Sequence, residues 1–361
     1  MHLLVDISAH GLGHLAQTAP VLNALRPLLP GLRLAVRSAL PWRRLAARIA
    51  GDFEHIAEAR DFGFVMHNAV DVDRPASALR YRELHADWPR VVADEADWLR
   101  SRRVDAVVCN AAYLPLAAAA QAGIPAVGMS SLNWADLFAH YLGGEPDATA
   151  IHRQILDAYR AAKCFLNFAP GLPMAGFPHC IALPPVAGVG QRDREFFAGQ
   201  LGLDIGKRWL LVAMGGMDFP LELEHWPRHE DLCWLIPGRP PAGRDDLRCF
   251  DAAESRFNDL LASVDAVITK PGYGTFVEAA CAGTTILYLE RDDWPETAYF
   301  AAWLARHARA AALGRRQLLA GDFIADLRAL WARPAPPLPR ADGARQAARR
   351  LADMFGAEGN D

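Results

Sequence analysis

Lysine is almost missing from this chain of 361 residues. Of its 38 basic residues only Lys163, Lys207 and Lys270 are lysines, and the other 35 are arginines. A bias that exchanges lysine for arginine wherever either will serve accounts for this. It makes each surviving lysine a candidate for a site that needs a compact ammonium group. An excess of positive charge is missing too: the formal net charge is −4, which argues against a nucleic-acid binder. No segment approaches the ~18 uninterrupted apolar residues of a membrane span. The opening residues Met1-His2-Leu3-Leu4-Val5-Asp6 have no basic segment before a short apolar run, so no secretory signal is expected. The six cysteines (Cys109, Cys164, Cys180, Cys233, Cys249 and Cys281) form no Cys-x-x-Cys pair. They read as buried free thiols in a reducing cytoplasm. His-Glu-x-x-His and Asp-rich calcium patterns are lacking, and no protein-built metal site is expected. What is present, 52% apolar and 22% charged residues, is ordinary for a globular protein, and the length suits two domains.

Short apolar runs alternate with helical patterns. Strands are expected at 3–7, 32–36, 104–109, 124–129, 164–168, 209–214, 264–268 and 285–289. Leu15, Ala19, Leu22, Leu25 and Leu29 recur at helical spacing, so 14–29 reads as an amphipathic helix, and 76–101 reads as largely helical. Alternation of this kind implies parallel sheets covered by helices on both faces. The chain also echoes itself at an offset of 160 residues. Val104-Asp105-Ala106-Val107-Val108 returns as Val264-Asp265-Ala266-Val267-Ile268, and Ala122-Gly123 returns as Ala282-Gly283. Two matched halves and a common supersecondary unit used twice both account for the echo. Turn formers at 183–190 suggest a first domain at 1–185, a linker at 186–207 and a second domain at 208–333. A Pro-rich spacer and terminal helix would occupy 334–361.

Four loops could carry chemistry. His10-Gly11-Leu12-Gly13-His14 lies between the first strand and the first helix, at the carboxyl edge where doubly wound sheets bind ligands. Its third dinucleotide-type glycine is absent, which weakens a hydride-transfer reading. His14 is placed either to take a proton from a hydroxyl or to cap the helix. Thr269-Lys270-Pro271-Gly272-Tyr273-Gly274-Thr275 follows the strand at 264–268 and opens a helix. Gly272 and Gly274 permit close approach, Thr275 adds a hydroxyl, Lys270 adds charge, and the helix start adds N–H groups. That makes a diphosphate cradle, though not a Walker A loop. Glu278, one turn on, either accepts hydrogen bonds from ribose or is a solvated helix residue. Gly215-Gly216 opens a comparable loop after 209–214. Arg291 and Glu296 fall on the loop after 285–289, where single charges are ordinarily solvated.

Thr269 to Glu278, then Ala282-Gly283 and Glu296, resemble the donor-binding stretch of nucleotide-sugar glycosyltransferases with the two-Rossmann (GT-B) fold. In the plant secondary-product enzymes that stretch begins Thr-His-Cys-Gly-Trp-Asn-Ser. Lys270 stands where those enzymes place a phosphate-contacting His, Tyr273 where they place the aromatic, and Glu278 on the ribose-binding Glu. The later acidic-Gln pair is here Glu296-Thr297, which keeps only the acid. Gly13-His14 resembles the Gly-His whose histidine is the catalytic base. Ala122 to Pro125, Ser131-Leu132-Asn133-Trp134-Ala135-Asp136, Pro173-Met174 and Lys270 to Thr275 look like the amino-terminal region of plant L-arabinokinases and their bacterial stand-alone relatives. That likeness spans most of 1–305, and the kinase phosphate loop Pro-x-x-x-Gly-Leu-Ser-Ser-Ser is absent.

The resemblance implies an α/β fold of two Rossmann-like, doubly wound parallel-sheet domains facing a cleft. The implied activity is an inverting, metal-independent glycosyl transfer from an NDP-sugar, a UDP-sugar by the same likeness, to a hydroxyl acceptor. His14 would be the base and Asp136 its orienting partner. His10, Gly11, Gly13 and Asn133 would form the acceptor loop. Gly215, Gly216, Lys270, Gly272, Tyr273, Gly274, Thr275, Glu278, Arg291 and Glu296 would bind the donor. A non-catalytic nucleotide-sugar-binding module and a sugar-nucleotide 2-epimerase remain the alternatives. Partners are expected to be donor and acceptor, with no nucleic acid and no cofactor besides the co-substrate.

Overall fold

A computed structural model describes residues 1–215 and 221–356. The chain divides into two compact units. The first comprises Met1–His67, Asp71–Val186 and the segment beginning at Asp342; the second comprises Asn68–Val70 and Ala187–Ala341.

The first unit holds strands β1 (His2–Ile7), β2 (Arg33–Arg37), β3 (Glu54–Ile56), β4 (Ala106–Asn110), β5 (Ala126–Ser130), β6 (Cys164–Phe168) and β7 (Cys180–Leu183). They form one parallel sheet in the order β3-β2-β1-β4-β5-β6-β7. The second unit holds β8 (Arg208–Ala213), β9 (Leu232–Ile236), β10 (Leu247–Cys249), β11 (Ala266–Thr269), β12 (Thr285–Leu289) and β13 (Ala310–Leu313), in the order β10-β9-β8-β11-β12-β13. Both sheets therefore reverse direction of growth at one place, between β1 and β4 and between β8 and β11. Such switch points open a crevice at the carboxyl ends of the strands. The central strands are continuous apolar runs because helices cover both faces.

The internal echo falls on equivalent strands, β4 and β11, and it repeats a device. Asp105 Oδ2 accepts the His2 N–H at 2.7 Å, and Asp265 Oδ2 accepts the Trp209 N–H at 2.8 Å. Each aspartate thus satisfies the amide at the start of the neighbouring strand. Gly123 and Gly283 end their helices in the left-handed region, φ +72° and +77°, which favours glycine.

The first unit also buries charge. Arg37 on β2 donates to both oxygens of Asp6 on β1 at 2.7 and 2.9 Å, donates to Glu95, and lies 4.4 Å over the Trp98 ring. Removing one partner of such a cluster costs about 3–5 kcal/mol, because the other is left uncompensated.

Several expectations need correction. The segment 186–207 is not a linker: from Ala187 it groups with the second unit and carries the helix Arg194–Leu201, capped by Asp193. The final helix, Gly343–Gly356, groups with the first unit, where it packs on the helix Gly13–Leu25. The helical stretch 76–101 is two helices, Arg74–His85 and Trp88–Ser101, and Pro89 sits in the first turn of the second, where its missing N–H is harmless. The helix expected to reach 29 ends at Leu25, and a 3₁₀ turn follows. Strands β3, β7, β10 and β13 lie short at or beside the sheet edges, so they leave little period to read. The run at β9 is apolar throughout, and periodicity alone does not separate such a run from a buried helix.

Candidate functional site

In the first unit the loop after β1 lies at the β1/β4 switch. Gly11 takes φ +87°, a conformation that suits glycine, and turns the chain into the helix Gly13–Leu25. Gly13 has open space where a Cβ would stand. His14 sits in the first helical turn and is only 4% exposed. Its ring is fixed from β4: Asn110 Nδ2 donates to His14 O at 3.3 Å and to Gln17 Oε1 at 3.2 Å. Asn110 Oδ1 is therefore the acceptor, and His14 Nδ1–H donates to it at 2.8 Å. In a neutral imidazole that leaves Nε2 as the basic nitrogen. Gln17 Nε2 continues the chain to Ser131 Oγ at 2.8 Å.

Asn110 thus holds His14 Nδ1, whereas Asp136, expected in sequence as the partner of His14, hydrogen-bonds Asn133. Asp136 belongs to a helix start. Its N–H donates to Asn133 Oδ1 and its Oδ2 accepts from Asn133 Nδ2, both at 2.8 Å. Asn133 is the N-cap of Trp134–Leu142 and is fully buried, so the pair closes this end of the helix. His10 stands edge-on to Trp134, ring centroids 5.3 Å apart.

One acid in this region carries no sequence signal. Asp61 Oδ2 accepts the Trp134 indole N–H at 2.6 Å. Burial pushes its pKa up to about 6 against the pull of hydrogen bonds from Trp134 and Ser8. Gly63, φ +60°, lets this loop lie on the ring: a Cβ there would come within 2.7 Å of Trp134 and 3.0 Å of His10.

In the second unit the equivalent loops follow β8 and β11. Gly215, φ +75°, allows Lys270 to pass, since a Cβ there would stand 3.0 Å from Lys270 Cε. Gly216 lies outside the described residues. Burial, and then the charge of Arg291, lower the Lys270 pKa to about 8, while Glu296 opposes them. Gly272 is the N-cap of the helix Tyr273–Ala282 in extended backbone, φ −173°, so its torsions do not require glycine. Gly274 is buried in the first turn beside half-buried Thr275. Tyr273 is buried, ring edge-on to Phe300 at 6.4 Å. Glu278 is 3% exposed, not a solvated helix residue. It accepts from Asn258 Nδ2 at 3.1 Å, and the same amide donates to Gly188 O.

Arg291 follows β12 and is 6% exposed. Its guanidinium lies 4.2 Å over the Trp294 ring, and its Nε faces Asp293 Oδ1 at 3.3 Å. The Trp294 indole N–H donates to Glu296 Oε2 at 3.0 Å. A charge that reads as solvated in sequence is therefore built into the unit. Lys270, Arg291 and the start of a ten-residue helix make the carboxyl edge around β11 and β12 attractive to an anion. Among the described residues no group of three or more His, Cys, Asp or Glu is placed to hold a metal ion, and no helix is long and apolar enough to cross a membrane.

No family model matches the chain. In sequence, 322 residues are 25% identical to the L-arabinokinase of Arabidopsis thaliana, covering 88% of this chain and 31% of that protein. The chain thus spans about a third of the length of the curated relative that it matches. In structure it is similar to spinosyn forosaminyltransferase, with a TM-score of 0.61 at 16% identity over 99% of each chain. It is similar to a UDP-glucosyltransferase from Polygonum tinctorium, TM-score 0.58 at 14% identity over 98% of each. A Listeria monocytogenes protein assigned as a UDP-N-acetylglucosamine 2-epimerase gives 0.56 at 14% identity, over 100% of this chain and 97% of that one. The architecture of this chain is the two-Rossmann GT-B fold, which glycosyltransferases share with that protein.

Proposed function

We propose that this protein is a glycosyltransferase that moves a sugar from an NDP-sugar, a UDP-sugar by resemblance, to a hydroxyl acceptor with inversion and without a metal. The observation that carries the reading is Lys270, threaded past Gly215 at the β8/β11 switch beside the start of the helix Tyr273–Ala282. A desolvated ammonium group at a helix start suits a diphosphate. Glu278, held by Asn258, suits ribose hydroxyls. The first unit supplies the base. His14 Nε2 takes the acceptor proton as the acceptor oxygen attacks the anomeric carbon, and the bond from that carbon to the diphosphate oxygen breaks. Asn110 Oδ1 holds the Nδ1–H and accepts its hydrogen bond while the ring is cationic. The departing NDP is stabilised by Lys270 and the helix N–H groups, in the manner of preorganised electrostatics.

A thermal-shift screen of nucleoside diphosphates and NDP-sugars tests the donor site, because a ligand of the native state raises apparent stability. A rise with one base and its sugars is expected; no rise with any would overturn the reading. Incubation with acceptors then tests the activity. Donor consumed only when an acceptor is present is expected. Binding without consumption makes the protein a nucleotide-sugar-binding module, and consumption with no acceptor makes it an epimerase or hydrolase.

A further inference from the structure

We propose that the sugar of the donor carries a carboxylate and that Arg291 is the residue that recognises it. This rests on the donor reading above and narrows it to a nucleotide-linked uronic acid. The segment from the end of β12 into the helix Glu296–His307, where the resembling glycosyltransferases place the acidic-Gln pair that contacts the sugar, holds two buried polar atoms with no hydrogen-bond partner among the described residues: Arg291 Nη2 and Thr297 Oγ1. A desolvated guanidinium with an open N–H is costly unless an anion meets it. The neighbouring acids do not serve. Asp293, whose side chain is 45% exposed, pairs with Nε rather than Nη2, and Glu296 gives Oε2 to the Trp294 indole. Stacking on Trp294 then fixes the plane of the guanidinium.

The diphosphate has its own cradle at the exit of β11, where Lys270 and the start of the helix Tyr273–Ala282 lie; Arg291 is on the next strand out. Where the resembling enzymes carry a neutral amide for sugar hydroxyls, this chain has Thr297, preceded by a buried arginine. A neutral hexose offers the guanidinium only hydroxyls. A carboxylate offers a charge-assisted acceptor to Nη2 and a second oxygen to a hydroxyl donor such as Thr297.

The test measures affinities of the full chain for UDP, UDP-glucose and UDP-glucuronic acid, and for GDP, GDP-mannose and GDP-mannuronic acid. For the base that binds, the acidic sugar is expected to bind at least about tenfold more tightly than the neutral one. Arg291→Gln should bring that ratio near unity while affinity for the free diphosphate changes less than about threefold. Thr297→Val should reduce the ratio part of the way. A neutral sugar bound as tightly as the acidic one overturns the inference and leaves the donor reading standing. So does an Arg291→Gln variant that loses diphosphate affinity as strongly as it loses the acidic sugar, since Arg291 is then a phosphate ligand. If no diphosphate or sugar binds at all, the donor reading fails and takes the inference with it. If Arg291→Gln does not fold, the wild-type ratio alone decides.

Discussion

The loop after β1 and the loop after β11 are built on one plan, strand to glycine-bearing loop to helix beside a switch point, yet they finish their polar chemistry in opposite ways. In the first unit the groups are neutral and matched with one another: His14, Asn110, Gln17 and Ser131 form a chain of buried hydrogen bonds. In the second they are cationic and under-matched. Lys270 is within the electrostatic reach of Arg291, with Glu296 the weaker opposing influence, and Arg291 Nη2 has no partner among the described residues. A satisfied network holds one ring in one orientation, which is what a base requires. An under-satisfied cluster stores an unmet demand for negative charge, which is what an anion site requires.

The largest expected effect breaks the first half of this contrast. His14→Ala should lower transfer by about 10²–10⁴-fold with donor affinity unchanged, measured as NDP release and by calorimetry; Asn110→Ala should lower the rate about tenfold through the ring's orientation. Wild-type turnover in His14→Ala would end the assignment.

Lys270→Met addresses the other half. It should weaken NDP affinity about ten- to hundredfold and yet stabilise the unliganded protein at neutral pH. The folded pKa of about 8 lies below the ordinary 10.5, so the unfolded chain holds the proton more strongly. The cost to the fold is full below pH 8 and fades as the pH rises toward 10.5, and the Tm advantage of the variant should fade with it. Wild-type NDP affinity should fall above pH 8 as the ammonium is lost. Equal affinity in wild type and variant would return Lys270 to an incidental charge.

The smallest effect sharpens the matched side. The Asp61 pKa is raised from 3.8 to about 6 by burial, so wild-type stability should decline as pH rises through that window. Asp61→Asn keeps an acceptor for the Trp134 indole and should be a few degrees higher in Tm at pH 7, with no advantage below pH 3.8. A variant less stable than wild type at pH 7 would show that the ionised carboxylate is compensated in the fold.

The central strands, His14 and the Lys270 loop are legible in sequence because each is local: an apolar run, a glycine, a helix start. Asn110 could have been found, as a polar residue closing the run Val104-Asp105-Ala106-Val107-Val108-Cys109. Its partnership with His14 could not, because it joins residues 96 apart through sheet topology. Asp136 misleads for the converse reason, since its chemistry is spent three residues away on Asn133. Asp61 lies in a loop with no period, and only burial makes it unusual. Arg291 reads as one charge among Glu290, Asp292 and Asp293, and no pattern announces that it alone turns inward.

The grouping of the helix Gly343–Gly356 with the first unit bears on how the protein is born. The helix Gly13–Leu25 carries His14, and the covering helix begins roughly 300 residues later along the chain. A ribosome adding ~5–20 residues per second takes about 15–60 s to cross that gap. Throughout that interval the nascent first unit lacks the surface that Ala347, Leu351 and Phe355 bury in the finished protein. Premature termination in the second unit would therefore damage the first, and the helix that bears His14 would be the element left uncovered.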